Sequence, residues 1–201
     1  MTPTHSLLRD LLLYALLPLW LAAGFADYLC HRHQRIEHSA GWRETLLHLV
    51  MLAELGIGVI AAVLLEVNAG VLLLVLLCCL AHEVTTWVDL SYANARRRIP
   101  PIEQWVHSLQ LGLPWAGFFG LAVLHADQAR AALGADGVVA DWALRWKDPP
   151  LPLSYLLTLW SAAVVFELVP FLDEWRRTRR VARDSGKATS PPRPSTLKEV
   201  K

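Results

Sequence analysis

Residues 27–54 read DYLCHRHQRIEHSAGWRETLLHLVMLAE, and they join two long apolar runs. The join carries Asp27, His31, His33, Glu37, His38, Glu44, His48 and Glu54. Working outward, apolar blocks of about 20 residues recur through the chain, the length that crosses a bilayer's hydrocarbon core. In a soluble domain apolar residues are spread periodically. Here 54% of residues are hydrophobic, only 18% are charged, and the apolar ones are massed in blocks. The fold class this predicts is all-α: a polytopic membrane helical bundle of about five transmembrane helices. They are expected near Leu7–Cys30, Glu44–Val67, Gly70–Tyr92, Glu103–His125 and Leu151–Leu172.

Spans two and three are separated by a few residues around Asn68 and Gly70, which reads as a tight helical hairpin. Between spans four and five, residues 126–150 carry Trp142 and Trp146, suited to the headgroup level. Residues 1–172 form the expected transmembrane domain. Residues 173–201, basic and then rich in Pro, Ser and Lys, are expected to form a disordered cytoplasmic tail. Apart from Arg9, Arg130, Arg145 and Lys147, all 19 Lys and Arg fall on one side of this topology. The positive-inside rule then places the N-terminus outside and the C-terminus in the cytoplasm, in a bacterial inner (plasma) membrane. A cleaved signal peptide, with small residues near Ala22–Ala26 as its cleavage site, would invert that charge rule. Three cysteines without CxxC spacing exclude zinc-finger and disulfide-scaffold readings. The basic tail lacks aromatic interleaving, so no nucleic-acid partner is expected.

On this topology four polar clusters reach the cytoplasmic part of the membrane: Asp27 with His31, Glu44 with His48, His82 with Asp89, and Glu103 with His107. Three are acid-x-x-x-His pairs, whose members share one helical face. The fourth reverses the order on a span that runs the opposite way, so its histidine is still the deeper residue. His38 joins the His31 face if the first helix continues. Glu54 lies off the Glu44/His48 face, and Glu167 is a further acid in an apolar run, expected to support the cluster. Any single pair is ordinarily a salt bridge or a snorkelling contact. Four on one membrane side point to a shared metal centre, because charged groups inside a bilayer are expensive unless paired.

The expected ligands are Asp27, His31, His38, Glu44, His48, His82, Asp89, Glu103 and His107. Carboxylates can bridge two cations while neutral imidazoles complete the coordination, a donor set suited to two metal ions, iron first, with zinc or manganese as alternatives. In its arrangement over residues 27–107 the chain resembles the integral-membrane di-iron hydroxylases and desaturases. Their HxxxH and HxxHH boxes are absent here. The resemblance implies a membrane-embedded di-metal oxidoreductase acting on a lipid-like or quinone-like substrate among membrane lipids. The absence of any nucleotide or flavin motif makes an external electron donor necessary.

Alternatives are a zinc-dependent membrane hydrolase using the same ligands, or a metal-ion or proton transporter. The run His82–Thr86 is not a zinc-protease helix, since Thr86 stands where that motif needs histidine. A b-type haem would need no such escort of acids. Arg96, Arg97 and Arg98 read as topology determinants. Trp42, Trp105 and Trp175 read as interfacial anchors.

Overall fold

In a computed structural model that describes residues 3–135 and 137–188, the chain is all helical and has five helices long and apolar enough to cross a membrane. It is an integral membrane protein. Span one is α1 (Pro3–Leu11), a π-helical turn (Leu12–Leu16) and α2 (Leu17–Gln34). Spans two to four are α3 (Trp42–Leu64), α4 (Ala69–Asn94) and α5 (Pro101–Leu124). A short α6 (Ala126–Ala132) follows. Span five is α7 (Leu153–Ala163), a second π-helical turn (Val164–Leu168) and α8 (Val169–Ala188). At 23 residues α3 is the shortest of the five. It is still about 35 Å long, enough for a hydrocarbon core of about 30 Å.

Both π turns precede a proline. Pro18 and Pro170 have no N–H to offer Tyr14 and Phe166 four residues back, so each helix takes up one extra residue there. The α3–α4 hairpin packs most extensively. Its turn is fixed by Asn68, whose Oδ1 accepts from the Val71 N–H (3.1 Å) and caps α4. The Asn68 amide also donates to the Ala143 carbonyl (2.7 Å). The segment after α6 straps across this turn. Glu66 donates to Arg145 (2.9 Å), Lys147 to Leu64 (2.9 Å) and Gly70 to Asp141 (3.1 Å), all backbone to backbone. A Cβ at Gly70 would come within 2.8 Å of the Trp142 carbonyl oxygen, so the strap needs a glycine there. Under it lies the apolar core of Leu55, Val71, Leu72, Val75 and Cys79.

The end of the fifth span corrects one expectation. The helix does not stop at Leu172 to begin a disordered tail; it runs on to Ala188. Glu167, Phe171, Glu174 and Thr178 form a buried stripe at 4-3-4 spacing that carries the helical face past the apolar run. Asp173 accepts from the Tyr28 hydroxyl (2.9 Å) and from Arg32 (3.0 Å), which ties α8 to α2. Arg177 donates to Glu37 (2.7 Å), holding the turn after α2. Trp175 packs edge-on against Trp42, with Arg179 over both rings. The expected tail residues 189–201 lie outside the described residues.

Candidate metal centre

The arginine-rich end of the bundle gathers residues from all five spans. α2 brings Asp27 and His31, α3 Glu44 and His48, α4 Asp89, α5 Glu103 and His107, and α8 Glu174. Each acid-x-x-x-His pair lies within about two turns of a helix end. All of these side chains are buried except His107, which is slightly open.

His31 is at the centre. Its Nε2 is buried without a hydrogen-bond partner, yet carboxylate oxygens of Glu103 (3.3 Å), Asp27 (3.6 Å) and Glu44 (3.9 Å) surround it. His107 Nε2 closes the circle at 3.0 Å from Asp27 and 3.8 Å from Glu103. Donors bound to one cation at the usual bond lengths sit about 3–3.5 Å apart. The group Asp27, His31, Glu103 and His107 comes close to that spacing, with one ligand atom from each lying within 4.8 Å of the others. A second group, His31, Glu44 and His48, shares His31 with the first. The buried cluster could hold a metal ion, and an orphaned imidazole nitrogen facing three acids fits one.

Glu174, which the sequence reading missed, supports both rings. Its carboxylate lies 3.1 Å from His31 Nδ1 and 3.6 Å from His48 Nδ1. A carboxylate on the far nitrogen of a ligating histidine fixes the ring's orientation and tautomer, the usual support for a metal-bound imidazole. The two rings stack at 4.6 Å. On its other side His48 Nε2 is 3.3 Å from Asp89. The signal for Glu174 was available in the heptad step from Glu167, masked by the surrounding DEWRR charge run.

Arg97 is the second residue that sequence reasoning misplaced. It does more than mark topology: its guanidinium enters the cluster from the loop between α4 and α5. There it donates to both Glu44 and Glu103, and also to Gln34 (2.9 Å), while Gln34 donates to Glu103. Burial opposes its charge. The hydrogen bonds to Glu103 and Glu44 outweigh that and hold its pKa above the usual arginine value. It supplies one positive charge to an assembly of five buried acids, Asp27, Glu44, Asp89, Glu103 and Glu174. Buried acids left without a counter-charge are costly, so the remainder favours protonated histidine or a bound cation.

Other expected site residues fall elsewhere. Arg35 takes a left-handed conformation (φ 53°) and ends α2 at Gln34, so His38 sits exposed in a 3-10 turn, away from the His31 face. The ligand set loses that residue. His82 is buried deeper on α4 and belongs to neither ligand group. Glu54 accepts from Thr85 (2.8 Å), away from the cluster. Glu167 is buried outside both ligand groups, its carboxylate seated where a side chain at Gly24 would otherwise be.

The cluster forms one end of a cavity of about 510 Å³ whose other walls are overwhelmingly apolar. Ile57 and Ile60 of α3, with Val164 and Leu168 of span five, line it and are also exposed on the outside of the bundle. The two helices pack together along α8. The exposure of these lining residues places the cavity's mouth between α3 and span five.

The chain matches no protein family, no curated protein and no solved structure.

Proposed function

We propose that this protein is a membrane-embedded, metal-dependent oxidoreductase of the hydroxylase/desaturase kind, with a di-iron centre, acting on a lipid or other apolar molecule. The observation that carries the reading is the unpartnered His31 Nε2 ringed by Asp27, Glu44 and Glu103, in a cluster whose Asp27, His48, Asp89 and His107 line an apolar cavity. Asp27, His31, Glu103 and His107 would hold one ion. Glu44 and His48, with Asp89 beside them, would hold a second. Bound iron would supply oxygen-dependent oxidation of an unactivated C–H bond, with reducing equivalents from an external donor.

The chain's own contribution is positioning. Glu174 orients His31 and His48, and Arg97 offsets the charge of Glu44 and Glu103 before any ion arrives. The apolar walls keep water from the centre and align a hydrocarbon chain beside it. The positive-inside distribution supports a cytoplasmic placement of this end in a bacterial plasma membrane.

The oxygen and nitrogen donors, free of thiolate, equally suit zinc, and a zinc-dependent hydrolase is the alternative. Ion transport is less well supported. A pathway needs polar groups through the other half of the bundle, where Val71, Leu72, Val75 and Cys79 pack instead.

Elemental analysis of detergent-purified protein tests the reading. About two iron atoms per chain are expected, lost in His31→Ala and reduced in His48→Ala. Zinc without oxygen-dependent turnover would select the hydrolase. Protein that takes up neither iron, zinc nor manganese on titration would overturn both.

A further inference from the structure

The cavity contains a second polar feature, outside the metal centre. Glu167 and His82 both line it, on span five and α4. Glu167 is 6% exposed and His82 7% exposed, and neither belongs to a ligand group. Glu167 Oε1 and His82 Nδ1 have no hydrogen-bond partner. In a bilayer each unsatisfied polar atom costs free energy that nearby water cannot relieve. Something polar belongs opposite them.

Local structure shows that this placement is built. Pro170 produces the π turn over Val164–Leu168, which resets the helical register at Glu167. Gly24 on the facing helix leaves the space the carboxylate occupies; a Cβ there would collide with it. On α5, Pro114 leaves the Gln110 carbonyl without its helical donor, and the His82 ring lies against the Gln110 backbone. His82 is thus anchored on one side, with Nδ1 left over. The cavity lining includes no lysine or arginine, so an anionic headgroup would meet the Glu167 carboxyl with no basic side chain to offset it.

We infer that Glu167 and His82 form a recognition site for the hydroxyl group of a neutral, long-chain alcohol whose hydrocarbon part fills the cavity. A hydroxyl both donates and accepts, so it can satisfy a carboxyl or an imidazole nitrogen, whichever of them carries the proton. The inference rests on the reading of the cavity as the substrate's place and names the substrate's class. It does not depend on which metal, if any, is bound.

The test uses the full chain in detergent, as purified and after chelation, with 1-dodecanol, dodecane and dodecanoate as probes. Binding is read from the fluorescence of Trp20 and Trp160, which line the cavity, and from the shift in Tm. Dodecanol should bind at least tenfold more tightly than dodecane or dodecanoate. Glu167→Leu and His82→Leu should each erase most of that preference while leaving dodecane binding and metal content unchanged. Equal affinity for alcohol and alkane, or tighter binding of dodecanoate, would overturn the inference in the wild-type protein alone, even if a variant fails to fold. A preference for dodecanol that survives both substitutions would also overturn it. Metal-free protein that still prefers the alcohol would sink the metal reading and leave this one standing.

Discussion

The two halves of this bundle hold the same helices together by opposite means. Beneath the strap, α3 and α4 meet through Val71, Leu72, Val75 and Cys79, and the order comes from close packing and one capped turn. At the arginine-rich end the same two helices, with α2, α5 and α8, meet through acids and imidazoles. Proximity there is unfavourable until opposite charges interleave. In lipid the first kind of contact gains little from expelling solvent and must rely on dispersion and fit. The second is strong where paired and punishing where not. A bundle that needed only to span the membrane could have used packing throughout. The expense at one end is what singles out the cluster as the candidate site.

The contrast can be broken by substitution, and the largest effect is expected at Arg97. Arg97→Ala leaves Glu44 and Glu103 buried without their cation and should destabilise the fold by about 3–5 kcal/mol. Unfolding of the micelle-bound protein followed by tryptophan fluorescence measures it. A loss below about 1 kcal/mol would show that the end does not depend on charge pairing. In the packed half, Leu72→Ala removes a side chain that is 5% exposed. It should cost about 3 kcal/mol while metal uptake stays at the wild-type level. A drop in metal content there would mean the halves are not separable.

Below both lies Glu174→Gln. It keeps the shape but removes the carboxylate facing His31 and His48, so metal affinity should fall about 10–100-fold, as titration against a chelator would show. Unchanged affinity would reduce Glu174 to a packing residue. The smallest effect is expected at Asn68→Ala, which uncaps α4 and releases the strap contact to Ala143. About 1 kcal/mol should be lost, with faster amide exchange near Val71 and no change at the cluster.

Much of the site was legible because helical spacing is a local property. Asp27/His31, Glu44/His48 and Glu103/His107 had to share faces once their segments were helical, and all six do converge. His38 was misjudged because whether α2 continues past Gln34 is decided by a single left-handed residue, Arg35. Arg97 and Glu174 were hidden for a different reason. Each stands in a charge run, and nothing local distinguishes the one arginine or glutamate that turns inward from those that face solvent.

Block length and hydropathy alone determined five spans, because a bilayer imposes its thickness on any helix that crosses it. Periodicity alone determined which acids and histidines ride together. Only the tertiary structure decided that the fifth helix continues beyond its apolar run, that its Glu174 reaches behind two histidines from other helices, and that the cluster shares a wall with an apolar cavity. Those outcomes depend on how separate helices tilt and seat against one another, and such contacts join residues far apart in the chain that carry no mutual signal along it.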